Sequence, residues 1–172
     1  MNNYDISVPV FLRGFTNLLK WLDKAQVYAG SDERMAELVA ARLAPDMFTL
    51  RGQIQVATDM AKGCASRLSG VAAPVFDDDE VSSDDLRKRI ATTVSFLEGL
   101  DAGLFQANAG VPVSLVIPYG TLTFAPQDYI LQFSLPNFFF HLSTAYDILR
   151  HKGVPLGKMD YLGRFPQLTP HR

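Results

Sequence analysis

The chain has one cysteine, three histidines and one tryptophan in 172 residues, and these scarcities exclude whole classes of function. With Cys64 alone no internal disulfide can form, which rules out a disulfide-stapled secreted scaffold. The histidines fall at His141, His151 and His171, so before residue 141 a metal would find no imidazole and, Cys64 apart, carboxylates are its charged ligands. Sixteen Lys and Arg against eighteen Asp and Glu leave a net charge of -2. No dense basic block is present, and nucleic acid is not an expected partner. No run approaches the ~18 uncharged apolar residues that a membrane span needs. The opening lacks a basic n-region, and Val8 to Leu12 is broken by Pro9 and followed by Arg13. No signal peptide is expected, and the expected location is the cytoplasm.

What remains is 48% hydrophobic and 20% charged, the balance of a soluble globular domain. Residues 1–172 are expected to fold as one unit. Phe11, Phe15, Leu18, Leu22 and Ala25 step by four and three, which predicts an amphipathic helix from Pro9 to Gly30. Asp32 to Ala41 reads as a short helix. Pro45 restarts the chain, and Met47, Leu50, Ile54, Ala57, Ala61, Cys64 and Leu68 form the cleanest seam, closed by Gly70. Ser82 or Ser83 caps a third long helix, with Leu86, Ile90, Val94 and Leu97 inward and Asp84 and Asp85 in its first turn. Val113 to Phe124 alternates around Pro118-Tyr119-Gly120 and predicts a β-hairpin. A last helix runs from Pro126 to Lys152, with a kink or break at Pro136. Residues 154–172 read as an extended tail docked on the bundle. The pattern is all-α, a four-helix bundle with one hairpin before the last helix.

The last helix carries the functional signal. Ser134, Asn137, His141, Thr144 and His151 follow steps of three and four that continue through Ile148, so they share one stripe on an otherwise apolar helix. A buried polar stripe needs partners, and a site between facing helices supplies them. The candidate ligand-binding set is Asn137, His141, Ser134, Thr144 and Asp46. Asn137 is expected to point inward, its amide pairing with His141 or with backbone freed by Pro136. A neutral amide is a poor ligand for zinc or nickel. Asp46 and Asp59 on the second long helix are the carboxylates best placed to help. Three readings stand side by side: a hydrogen-bonded core that ties the kinked helix to its neighbours, a metal-free pocket for a small molecule, and a divalent metal on His141, Asp46 and Asp59. No cofactor is expected.

Other features read as structural. Cys64 falls on a core seam and is expected to be inert. His151 suits the helix C-terminus, His171 lies next to the chain end, and Ser143 and Asp147 flank His141 on different faces and make no relay. Asp77 to Glu80 lacks the glycine of a calcium loop and reads as a solvated acidic loop. Gly153 to Lys158 has the wrong spacing for a phosphate loop. Phe138, Phe139 and Phe140 point about 100° apart, so the helix needs cover on two sides. A homodimer would provide it.

Pro136-Asn137-Phe138-Phe139-Phe140-His141 and Gly153-Val154-Pro155-Leu156-Gly157-Lys158, with Ser7-Val8-Pro9-Val10-Phe11 and Leu43-Ala44-Pro45-Asp46-Met47, are similar to a bacterial domain-of-unknown-function family. That family is grouped with the DinB/YfiT-like superfamily. The resemblance covers about Tyr4 to Gly163 and implies a four-helix bundle with a hairpin before the last helix. It also implies kinship with metal-dependent hydrolases and thiol transferases, whose metal sits on three histidines, one on the second helix and two, four residues apart, on the last. By position His141 resembles the second of that pair and Asn137 stands in place of the first, while the second helix has no histidine. The function implied is that of a DinB-like bundle with a degenerate metal site and a polar ligand pocket. The alternatives are a metal-dependent hydrolase or thiol transferase, and a non-enzymatic dimeric stress or interaction protein.

Overall fold

A computed structural model describes residues 2–165. Four long helices form the bundle: α1 (Val8–Ala29), α3 (Leu50–Ser69), α4 (Ser83–Glu98) and α7 (Leu135–His151). Shorter elements join them, namely α2 (Asp32–Ala40), α5 (Ala102–Ala107), the strands β1 (Val113–Ile117) and β2 (Gly120–Phe124), α6 (Pro126–Asp128) and α8 (Lys158–Leu162). The strands make one antiparallel hairpin in which Leu115 faces Leu122. α3 is the central helix, packed on α7 on one side and α4 on the other. Its buried residues Ile54, Ala57, Ala61, Cys64 and Leu68 are those of the predicted seam. Small side chains along it let α7 approach closely. The architecture is the helical bundle with a hairpin that the residue pattern predicts. No described helix is long and apolar enough to cross a membrane.

Helix ends follow local chemistry. Gly30 and Gly70 take the left-handed conformation that terminates α1 and α3 and that glycine adopts without a Cβ penalty. Ser82 caps α4 in a reciprocal box with Asp85, and hydrogen bonds from Ser82 hold the Asp85 carboxyl down at about 2. Gly14 lies where a Cβ would meet the Phe138 ring at 2.6 Å, so its lack of a side chain lets α1 and α7 close over that ring.

The structure corrects the sequence reading in five places. α3 starts at Leu50 behind the Thr49 cap, leaving Asp46 exposed in the preceding irregular segment instead of on the helix. Residues 102–107, which showed no clear period, form α5, capped by Asp101 and anchored by the buried Phe105. Before Pro136 the chain takes up the break as a π-helix over Tyr129–Ser134, in which the Leu135 N–H reaches back to the Ile130 carbonyl. The wider turn accommodates a ring that would clash with an α-helical carbonyl. The tail is helical in part: Trp21 Nε1 donates to the Asp160 carbonyl at 2.9 Å and Asn17 Nδ2 to that of Tyr161 at 2.8 Å, which docks α8 on α1. His171 and the end of the tail lie outside the described residues.

The acidic loop is not solvated as a whole, which is a fifth difference. Arg89, on the buried face of α4 and 2% exposed, gathers it in. Its Nη1 donates to Asp78 Oδ1 at 2.6 Å and Glu80 Oε1 at 2.9 Å, its Nη2 to Asp59 Oδ1 at 2.9 Å, and its Nε to Thr58 Oγ1 at 2.7 Å. Phe76 lies under the guanidinium, 4.3 Å from ring centre to Cζ. Arg51 and Gln55 of α3 hold the same loop through the Glu80 carbonyl and carboxylate. The loop is a strap clamped along α3 and α4.

Candidate functional site

His141 faces α3 from the middle of α7 and is buried. Its Nδ1 lies 2.7 Å from Gln53 Oε1. Which atom donates follows from the next bond: Gln53 Nε2 donates to the Phe48 carbonyl at 3.2 Å, so the amide oxygen must face the imidazole, and an amide oxygen only accepts. His141 therefore carries its proton on Nδ1 and presents the Nε2 lone pair. Burial lowers its pKa from the ordinary value, so the ring is neutral at pH 7. Two aromatic side chains flank it. Phe140 meets the ring edge-on with centroids 5.1 Å apart, and Phe48 lies at 6.5 Å. Both are largely exposed, 57% and 59%, so the buried imidazole has two exposed apolar rings beside it.

The rest of the polar stripe does other work. Asn137, half-buried, donates from Nδ2 to the Phe133 carbonyl at 2.7 Å, serving the backbone beside Pro136 and not His141. Thr144 returns its hydroxyl proton to the Phe140 carbonyl at 2.8 Å. Ser134 ends the π-helix with its hydroxyl buried next to the Cys64 thiol. His151 is exposed in the last turn. Asp46 and Asp59 are not brought to His141: Asp59 is held by Arg89 and Lys62 at 2.9 and 3.1 Å. Ser143 pairs with Tyr161 at 2.7 Å instead of joining a relay. Cys64 is buried, and desolvation pushes its thiol up to about 12, which makes it unreactive at neutral pH. Gln53 is the residue that sequence reasoning missed. Its signal was there: it precedes Ile54, Ala57 and Cys64 on the buried side of α3, and a glutamine in such a seam needs a polar partner.

Residues 3–162 match the family model described as "Domain of unknown function (DUF1993)". The chain belongs to the DUF1993 family. A solved structure, a DinB family member protein from Shewanella denitrificans, is 38% identical to this DUF1993 chain and superposes with a TM-score of 0.87 over 97% of this chain and 95% of that one. The family thus lies within the DinB-like superfamily. No curated protein matches the chain.

The side chains around His141 do not fit the three-histidine metal centre that DinB-like kinship implies. Around one imidazole stand two amides, of which Gln53 spends its oxygen on Nδ1–H and Asn137 bonds to backbone. Such neutral oxygen donors, with no carboxylate among them, suit neither zinc nor nickel. Among the described residues no group of three or more His, Cys, Asp or Glu could hold a metal ion.

Proposed function

We propose that this DUF1993 protein is a metal-independent binding protein whose ligand is a small organic molecule with a hydrogen-bond donor next to an apolar part. The observation that carries this reading is the relay from the Phe48 carbonyl through Gln53 to His141. It fixes one tautomer and leaves Nε2 as an oriented acceptor on a ring flanked by two exposed aromatic side chains. A hydroxyl, ammonium or amide N–H would donate to Nε2, and the apolar part would cover Phe48 and Phe140. Asn137, one turn away, keeps its Nδ2 on the Phe133 carbonyl and offers its amide oxygen as the second polar contact, whereas Ser134 and Thr144 on the same stripe are buried. The hydrolase or thiol-transferase alternative requires Asp46 or Asp59 at His141. Both carboxylates are committed or exposed elsewhere, which favours binding over catalysis.

The proposal also includes a two-chain assembly, supported by the exposed ring of Phe139 beside the buried Phe138, and a cytoplasmic setting, supported by the single buried thiol. Benzyl alcohol and benzylamine are suitable probes, each joining a donor to a ring. Ligand-observed NMR should show saturable binding to the wild-type protein and at least tenfold weaker binding to His141→Phe, which keeps a ring but removes Nε2. Elemental analysis of untagged protein checks the metal-independent part. About one zinc or nickel per chain, lost in His141→Ala, would overturn the reading in favour of the metalloenzyme.

A further inference from the structure

From Ala102 to Gln127 no residue is charged, although this stretch includes the most exposed apolar side chains of the hairpin, Val116 at 87% and Tyr119 at 96%. An exposed strand edge normally carries lysine, proline or a bulge that prevents pairing with another chain. The hairpin protects one edge and leaves the other open. Ile117 and Gly120 pair across the two-residue turn, so they form a hydrogen-bonded pair, and by alternation so do Leu115 with Leu122 and Val113 with Phe124. The residues between them direct their backbone groups outward. On β1 the outward positions are Ser114 and Val116, and the strand is closed at both ends by Pro112 and Pro118, which have no N–H to offer a pairing strand. On β2 they are Thr121 and Thr123, both exposed and both with a free donor and acceptor.

We propose that β2 pairs antiparallel with β2 of a second copy of this chain, about a two-fold axis at Leu122, to make a four-stranded sheet across the dimer. This deepens the two-chain assembly proposed above and rests on it. The edge is self-complementary: an axis at Leu122 sets Thr121 opposite Thr123 twice and forms four backbone hydrogen bonds, with threonine pairs that favour such contacts. Leu122, still 38% exposed in the single chain, meets its own copy in the closer, non-hydrogen-bonded position. The absence of charge removes like-charge repulsion between identical strands and gives a charged partner nothing to pair with. A two-stranded hairpin is marginal alone, and the added strands complete it.

Analytical ultracentrifugation should show a dimer that Thr123→Pro weakens at least tenfold, since this change removes an outward N–H not used inside the hairpin. Circular dichroism should stay unchanged. Leu122→Cys provides a second route that does not depend on that variant folding. Opposed residues at a non-hydrogen-bonded position lie about 4.5 Å apart at Cα, within disulfide reach, so oxidised glutathione should produce a covalent dimer of Leu122→Cys and not of Val116→Cys. A dimer that Thr123→Pro leaves intact and that Leu122→Cys does not cross-link would overturn the β2 interface while sparing the assembly. A monomer at every concentration would sink both, leaving the edge to a different chain.

Discussion

Arg89→Met is expected to lower the unfolding free energy by about 3 to 5 kcal/mol, the cost of removing one member of a buried ion pair, here the one Arg89 makes with Glu80. Methionine keeps most of the volume, so the loss is electrostatic. Glu80, Asp78 and Asp59 would face one another without the guanidinium that joins them, and the Thr58 hydroxyl would lose its donor. Urea unfolding of the two proteins measures the difference. Glu80→Gln should cost less, because its amide still accepts a hydrogen bond from Arg89. A shift below about 0.5 kcal/mol for Arg89→Met, the level of an ordinary surface substitution, would mean that the strap is solvated and open.

The same cluster gives stability a direction in pH. Burial raises the Glu80 pKa, but hydrogen bonds from Gln55 and Arg89 outweigh it and hold the carboxyl below its ordinary 4.5. The unfolded chain therefore binds a proton near 4.5 that the folded chain refuses, and stability present above that pH is lost as pH falls through the folded value. His141 acts in the same direction at higher pH. Its folded pKa lies below the ordinary 6.5, so unfolding takes up a proton as pH drops past 6.5. Urea midpoints should be level above about pH 7 and decline in two stages below it. His141→Phe should remove the first stage and leave the second.

The sequence periodicity carried the bundle because the core steps of α1, α3 and α4 are regular and their caps are local. It carried less where the structure depends on pairing across the chain. Asp77 to Glu80 looked like a free acidic loop because its partner is an arginine on another helix. Arg89 sits three residues after Leu86 on the core side of α4, and a positive charge at a core position was the available sign. Pro136 signalled a break but not its form, since a π-turn and a kink are alternative answers to the same clash. The stripe on α7 placed His141 correctly as a buried residue. Its partner on α3 stayed hidden because polar residues four apart on one helix suggest a pair, whereas the bond that forms runs between helices.

That bond supplies the sharpest expectation about the site. In Gln53→Glu the acceptor facing Nδ1–H becomes a carboxylate, and an opposite charge at hydrogen-bond distance favours the protonated ring, so the His141 pKa should rise. The imidazole resonances followed by NMR through a pH titration read this directly. Gln53→Leu takes away the acceptor and leaves a buried N–H unpaired, at a cost of about 1 to 3 kcal/mol. It also frees the ring to rotate, so Nε2 loses its fixed direction and benzyl alcohol binding should weaken with stability corrected for. Asn137→Leu makes the contrast. Its Nδ2 bonds to the Phe133 carbonyl and not to His141, and losing that bond should cost about 0.5 to 1.5 kcal/mol without moving the His141 titration. Should His141 titrate alike in wild type, Gln53→Glu and Gln53→Leu, the relay would not exist in solution, and the oriented lone pair on which the binding site depends would go with it.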